Sequence, residues 1–385
     1  MKDRALPARG DALALAQGLI RIDSVNPTLV PGGAGEREAA DFLAATLDAW
    51  GFETSVTEAA PGRPNVTATL GDGPRSLILN GHLDVVGTEG MSHAPFDADI
   101  RDGLLHGRGS SDMKAGIAAM CAAAVRSRDA GGALRVTVAA VCDEEYESIG
   151  TRALLENGLR ADAAIVTEPT RLAIAPAHRG FAWIDIAFKG VAAHGSRYDI
   201  GVDAITHAGL LLAELDTHNH KVLAHRLHPL LGHASIHASL IRGGTGMSTY
   251  PDSCLLSVER RTLPGETTTG LAEIEAALER VKARVPSLDA TVTLKTAQVP
   301  SDVPESAPIV MTLEAALRDE GIEPRIEGFT AWTDAALFNA AGIPAICFGP
   351  GDIALAHAAE EYVSVEEIEL ATKVLARLLH RWSNA

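Results

Sequence analysis

Cysteine is scarce in this chain, which contains four such residues among 385. They lie far apart at Cys121, Cys142, Cys254 and Cys347, and none belongs to a CxxC pair. All but Cys254 occur in strongly apolar runs. Isolated cysteines in such surroundings are typical of small buried residues in a reducing compartment. The sequence therefore argues against a disulfide-stabilised protein and against a thiolate metal site.

Long apolar runs are also missing. No segment approaches the roughly 18 consecutive apolar residues that a membrane-spanning helix needs. Segment 1–23 has a short apolar stretch that Asp11 and Gln17 interrupt, and it lacks the core and the small-residue cleavage site of a signal peptide. We therefore expect a cytoplasmic protein without a membrane partner.

Positive charge is in the minority, with 33 Lys and Arg against 50 Asp and Glu and a formal net charge of −17. This balance argues against nucleic acid or an anionic membrane as the main partner. It does not exclude an anionic small-molecule substrate, because a few arginines inside a cleft can outweigh a distant acidic surface.

The chain contains two regions of different pattern, and its length already favours two domains. In the first region, short β-rich apolar runs alternate with helical segments, which predicts an α/β domain with a mixed, mostly parallel sheet flanked by helices. Near residue 181 the order becomes strand, helix, two strands, helix, strand, which is the ferredoxin-like α+β order. We predict a catalytic domain at 1–181 and 299–385, interrupted by an inserted domain at 182–298.

Histidine and acidic residues occur where the apolar runs end. His82 and Asp84 are two apart in NGHLD, so on a strand they face the same way, and Asp84 can orient a metal-bound imidazole. Asp112 leads into a helix after GRGSS, and Glu144 and Glu145 follow an apolar strand in CDEE. Each has a simpler structural alternative: a hydrogen-bonded His–Asp pair, an N-cap and a surface acidic run.

Glu168 in TEPT and His357 in GPGDIALAH complete the set of candidate ligands. Imidazole and carboxylate without thiolate is typical of catalytic rather than structural metal sites. If these residues converge, the protein is a metallohydrolase. A second histidine-rich stretch lies between residues 218 and 237, but its irregular spacing and polar, Pro-containing sequence favour a solvated loop.

Taken together, the motifs resemble those of one family. NGHLDVV, GRGSSDMKAG, CDEE, TEPT, GVAAHGS, IRGGTGMSTYPD, ERRTLPGE, TDAALF, FGPG and AHAAEEY occur in this order over about residues 15–380. They resemble the dinuclear-zinc amidohydrolase and peptidase family that includes acetylornithine deacetylase, succinyl-diaminopimelate desuccinylase, aminoacylase and glutamate carboxypeptidase. The resemblance implies that the inserted domain is a lid and dimerisation domain.

The resemblance also implies two divalent metal ions, zinc in the first place, with cobalt or manganese as alternatives. The implied ligand sets share one carboxylate: His82, Asp112 and Glu168 for one ion, and Asp112, Glu145 and His357 for the other. It implies further that the peptide bond after the bridging Asp112 is cis.

Catalytic roles follow from the same resemblance. Glu144 would be the general acid/base, and Asp84 would support His82. His194 in VAAHGS would reach the active site of the partner subunit in a homodimer and contact the substrate carbonyl. From the residue alone, a surface residue at a helix start is the preferred explanation of His194.

Substrate contacts are implied for three more positions: Arg261, Ser248 and Gly351. Arg261 would bind the substrate carboxylate, although from the residue alone a strand-edge salt bridge is the preferred explanation. Ser248 and Thr249 stand in a stretch where relatives commonly carry Asn, so one expected amide contact is replaced.

These features predict a metal-dependent hydrolase that cleaves the amide bond of N-acyl amino acids, like acetylornithine deacetylase, with a small molecule as its substrate. AHRGFAWIDI and ERRTLPGE look closest to this branch of the family. The alternative is a metallocarboxypeptidase that releases a C-terminal amino acid from peptide-like or pteroyl-like substrates, since both reactions place the amide beside a free carboxylate. A non-catalytic binding protein on the same fold is the third hypothesis.

Overall fold

A computed structural model describes residues 5–266 and 269–384. The structure divides into two compact units, one formed by the chain up to residue 176 and from residue 303 onward, the other by residues 177–302. Its helices are α1 (Ala12–Ile20), α2 (Arg37–Ala49), α3 (Ala115–Asp129), α4 (Ile149–Glu156), α5 (Ala204–Lys221), α6 (Leu271–Lys282), α7 (Pro308–Asp319), α8 (Ala335–Ala340) and α9 (Val365–Trp382).

The strands are short and distributed over both units. They are β1 (Glu53–Ala60), β2 (Arg63–Leu70), β3 (Ser76–His82), β4 (Ile100–Arg101), β5 (Leu104–His106), β6 (Arg135–Val141), β7 (Ala164–Val166), β8 (Ile174–His178), β9 (Gly180–Lys189), β10 (Leu227–His228), β11 (Gly232–His233), β12 (Ser235–Gly243), β13 (Ser253–Thr262), β14 (Asp289–Gln298), β15 (Ser301–Asp302), β16 (Ile326–Phe329), β17 (Ala345–Cys347) and β18 (Tyr362–Ser364).

The main sheet of the larger unit runs in the order β1-β2-β6-β3-β7-β17-β8. Its central strands β6, β3, β7 and β17 are parallel, and the strands on either side of them pair antiparallel. The predicted mixed sheet is thereby confirmed. Since carboxyl ends of parallel strands meet at one edge, this order brings the ends of four chain segments together.

Helices cover both faces of this sheet. Alternate residues of β3 belong to different buried clusters: Leu77 and Leu79 join the cluster that contains α3 and α9, and Ile78 joins the cluster that contains Phe338 of α8. Because the strand is buried on both faces, its residues 77–79 are consecutive apolar residues and do not alternate with polar ones. Helix α3 is buried nearly all round because seven of its first eleven residues are Ala or Gly, which let neighbouring elements approach closely.

The C-terminal helix α9 shows how a local pattern sets an element. Ser364 accepts a hydrogen bond from the backbone N–H of Glu367 and so begins the helix. Apolar residues at helical spacing, Ile368, Leu375 and Leu379 among them, form its buried face. Among the described residues, no helix is long and apolar enough to cross a membrane. All four cysteines are buried with free thiols, as predicted.

The smaller unit has a four-stranded antiparallel sheet in the order β12-β13-β9-β14, with α5 and α6 packed against it. This is the ferredoxin-like strand order that the sequence predicts. The prediction of a solvated loop for the histidine-rich stretch was wrong. Helix α5 extends through His218 and His220, and the stretch beyond it contains β10, β11 and the start of β12, because the apolar residues Leu223 and Leu231 are buried in the core of this unit.

Candidate metal centre

The predicted ligands follow four neighbouring strands of the larger unit. Strand β3 ends at His82, β6 ends shortly before Glu144 and Glu145, β7 ends shortly before Glu168, and β17 leads into the loop that contains His357. Because these strands are parallel neighbours, their carboxyl ends open onto one edge of the sheet. Residues that are far apart in the sequence therefore meet there.

Two ligand sets converge around one carboxylate: His82, Asp112 and Glu168, and Asp112, Glu145 and His357. Within each set, one potential ligand atom per residue lies within 4.8 Å of the others. Asp112 belongs to both sets, with Oδ1 3.0 Å from His82 Nε2 and Oδ2 3.5 Å from His357 Nε2. The structure thus brings together all five residues that the sequence singles out as ligands.

The tautomer of His82 follows from its surroundings. Nδ1 lies 2.9 Å from the backbone carbonyl oxygen of Asp84, which can only accept a hydrogen bond. Nδ1 therefore carries a proton, and Nε2, which lies against the Asp112 carboxylate, is the atom that would donate its lone pair to a bound cation. The Asp84 carboxylate is 3.7 Å from Nδ1, so the support predicted from this side chain comes from its backbone instead.

The Asp84 carboxylate has a different role. Its two oxygens accept the backbone N–H groups of Glu144 and Glu145, each at 3.2 Å. Asn26 also donates to it, at 2.9 Å, and donates to Asp143 at 3.1 Å. These hydrogen bonds connect the end of β3, next to His82, to the turn that contains Glu144 and Glu145.

Asp143 is not directed to the ligand sets but to a buried arginine. Arg63 Nη2 lies 2.9 Å from Asp143 and 2.6 Å from Glu36. Sequence reasoning missed Arg63, Glu36 and Asn26, because no local pattern marks them. The Asp143 backbone has a φ of +66°, in the left-handed region that non-glycine residues rarely occupy, and this turn directs the next two side chains.

Electrostatics at the centre are unfavourable for the carboxylates alone. Burial raises the pKa of Glu144, Glu145 and Glu168, and the nearby Asp112 carboxylate raises the pKa values of Glu145 and Glu168 further. Hydrogen bonds to Asp112 and Glu145 raise the pKa of His357 to about 10. A bound cation would stabilise the ionised forms of these clustered buried carboxylates. Oxygen and imidazole ligands without thiolate fit divalent zinc, cobalt or manganese.

The backbone around two ligands is unusual. The peptide bond Asp112–Met113 is cis, as predicted. His357 has a φ of +61°, and its imidazole is half exposed, with Nε2 3.1 Å from Glu145. His357 therefore closes the more accessible of the two ligand sets.

The predicted substrate residue Gly351 is held by the larger unit itself. Its N–H donates to Glu367 Oε2 at 2.8 Å, and a Cβ at this position would meet Ser111 Oγ at 2.6 Å. The Gly351 amide is therefore already engaged. Close packing against Ser111, with a φ of +92°, explains why glycine stands here.

The other predicted substrate residues lie in the smaller unit. His194 is exposed, with Nδ1 2.8 Å from Ser196 Oγ. Arg261 forms an ion pair with Glu259, and its guanidinium lies 5.4 Å from the centre of the Phe181 ring. Ser248 is exposed, and its carbonyl accepts the N–H of Gly195 at 2.7 Å.

Comparisons with known proteins identify the family of the chain. Residues 78–381 match the sequence model of peptidase family M20/M25/M40. The chain is 30% identical over 348 residues to an acetylornithine deacetylase of Myxococcus xanthus, covering 88% of this chain and 90% of the relative.

Two solved structures share the fold. One is an M20 family metallo-carboxypeptidase from Sulfolobus solfataricus, with a TM-score of 0.82 and 17% identity over 97% of this chain and 100% of that one. The other is a dinuclear metal-binding peptidase of the M20 family from Bacillus subtilis, with a TM-score of 0.72 and 15% identity over 96% and 97%. With the family match over most of its length, this chain belongs to peptidase family M20/M25/M40 and is a hydrolase.

Proposed function

We propose that this protein is a metal-dependent deacylase that hydrolyses the amide bond of N-acyl amino acids. The observation that carries the proposal is the pair of ligand sets that share Asp112, with Glu144 beside them and in neither set. Glu144 Oε2 lies 3.9 Å from His82 Nε2, so a carboxylate stands next to the ligands without belonging to them. The likeness to a relative named acetylornithine deacetylase supports the substrate class.

Two divalent cations, zinc in the first place, would be held by the five ligands named above. When bound, such cations would lower the pKa of a water molecule and polarise the amide carbonyl. The two sets differ in surroundings, since Glu168 is buried in the first and His357 is half exposed in the second.

Glu144 is the general base and acid in this proposal. Its carboxylate takes a proton from the attacking water as the oxygen bonds to the amide carbon. It then delivers this proton to the amide nitrogen as the C–N bond breaks, which yields a carboxylic acid and a free amine. Burial raises the pKa of Glu144, which favours a group that accepts a proton and gives it back. The Asp84 carboxylate holds Glu144 in place by accepting a hydrogen bond from the backbone N–H of Glu144.

Substrate recognition is assigned to the smaller unit. The planar guanidinium of Arg261 suits a carboxylate, which every N-acyl amino acid carries. In the free protein the Arg261 guanidinium forms an ion pair with Glu259, so a substrate carboxylate would have to compete with Glu259.

A substrate panel tests this function. The zinc-loaded enzyme is expected to hydrolyse N-acetyl amino acids with a larger kcat/KM than N-blocked dipeptides of the same C-terminal residue. The N-acetyl amino acid esters, which lack the free carboxylate, serve as matched controls and should react poorly. Faster release of C-terminal residues from the dipeptides would instead identify a metallocarboxypeptidase.

We also propose a cytoplasmic homodimer in which His194 of one subunit completes the site of the other. Co-expression of His194→Ala and Glu144→Gln chains tests it, because each mixed dimer then contains one intact site. Statistical assembly makes about half of the dimers mixed, so about a quarter of wild-type activity should return. No recovery above that of the separate variants, or an active monomer by sedimentation, would exclude a role of His194 in the partner's site.

A further inference from the structure

Two loops of the larger unit supply ligands to the second set, and a buried ion pair joins them. One is the segment Ser110–Lys114, which contains Asp112, and the other is the loop after β17, which contains His357. We propose that Arg108 and Glu361 are positioning residues that hold Asp112 and His357 in register with each other. This inference rests on the metal centre proposed above.

Glu361 holds the backbone at Asp112. Its Oε1 accepts the N–H of Ser111 at 2.9 Å and the N–H of Asp112 at 3.1 Å. Asp112 and Met113 have non-helical backbone angles, so their segment lacks the regular hydrogen bonds of the adjoining helix. A carboxylate oxygen that accepts two consecutive N–H groups takes the place of those bonds and limits how the peptide can rotate.

Arg108 extends this contact to the histidine loop. Its Nη1 lies 2.7 Å from Glu361 Oε2 and 3.3 Å from the carbonyl oxygen of Ala358, the residue after His357. Its Nε donates to the carbonyl oxygen of Gly87 at 3.1 Å. The guanidinium thus binds the carboxylate that holds Asp112 and, at the same time, the backbone beside His357.

The burial of Arg108 and Glu361 indicates that this ion pair positions the ligand loops and does not mainly stabilise the fold. The Arg108 and Glu361 side chains are 3% and 1% exposed, so both charges have been taken almost entirely out of water. A packed apolar pair in such a place often stabilises a fold equally well. An apolar pair, however, cannot accept two N–H groups on one side and donate to two carbonyls on the other. Those directed bonds are what the charged pair adds, and they reach the backbone of one candidate ligand, Asp112, and of Ala358, the residue after another, His357.

The Glu361→Gln variant separates positioning from stability. The Gln side chain has one accepting oxygen. This oxygen can accept the N–H groups of Ser111 and Asp112 or the guanidinium N–H of Arg108, but not both. We expect zinc affinity, measured by chelator competition, to fall about 10- to 100-fold, as for other groups that orient metal ligands. The rise in Tm on adding zinc should shrink as well. Glu369→Gln, the same chemical change in a pair with Arg126 outside the ligand sets, should retain wild-type affinity.

Arg108→Lys provides a second variant with the charge retained. An ammonium can pair with Glu361 but cannot reproduce the forked contacts to Ala358 and Gly87. We expect zinc affinity to fall in this variant too, with the metal-free Tm closer to that of the wild type. An equal loss of Tm in metal-free and zinc-loaded protein, with unchanged affinity in both variants, would overturn the inference and leave the proposed function standing. A wild-type protein that binds none of zinc, cobalt and manganese would overturn the proposed function and this inference together.

Discussion

The Glu144→Gln variant is expected to keep its metal content and to lose about 10²- to 10⁴-fold in kcat, which is the usual contribution of a general acid–base group. Gln has nearly the same shape as Glu, but its amide cannot take a proton from water at neutral pH. Since Glu144 belongs to neither ligand set, the metal affinity should not depend on its charge in the way it depends on Glu145. Steady-state kinetics with metal analysis of the same sample measures both quantities.

Glu147 offers a matched control in the same turn. Its side chain is exposed, and its backbone N–H donates to Asp143, so the Glu147→Gln change removes one charge without touching the ligands. Its kcat should stay close to the wild-type value. Near-normal turnover in Glu144→Gln would remove that residue from the proton-transfer role, and a parallel loss of metal would place it among the ligands instead.

The Asp112→Asn variant is expected to weaken binding of both metal ions and to abolish activity. Asp112 is the one residue shared by both sets, with one oxygen toward His82 and the other toward His357. An amide keeps the volume but offers a single neutral oxygen, so it cannot bridge two cations. Metal content after dialysis should fall from two ions toward none per chain.

His357→Ala is the contrasting variant because His357 belongs to one set alone. It should lose the second ion and keep the first, which His82 and Glu168 continue to bind with Asp112. Two ions with unchanged affinity in Asp112→Asn would contradict the shared-ligand arrangement. Equal losses in the two variants would show that the sites do not bind independently.

The candidate ligands could be found in the sequence because most of them stand at or after the end of an apolar run. His82 ends one strand, and Glu145 and Glu168 follow two others; runs of consecutive apolar residues in these strands are a sign of burial on both faces. Each residue taken alone has a plain structural explanation, and the motif order made the interpretation specific. Strand adjacency in the sheet then supplied what the sequence pattern lacked, namely the distances between these side chains.

Some expectations needed correction because side-chain direction depends on tertiary contacts. Strand periodicity predicts a contact between the Asp84 carboxylate and His82. That carboxylate instead accepts the N–H groups of Glu144 and Glu145, and His82 contacts the backbone carbonyl of Asp84. Strand spacing predicts which face a side chain occupies. It does not predict which of several polar groups on that face will be nearest.

The sequence by itself determined most of the elements, the mixed sheet, the ferredoxin-like order and the identity of the metal-binding candidates, because apolar periodicity and residue chemistry are local properties. Only the tertiary structure decided which charges are paired. Arg63 with Asp143, and Arg108 with Glu361, join residues 80 and 253 positions apart. A single arginine in the sequence carries no sign of its distant partner, since the pairing depends on how the strands and loops are assembled.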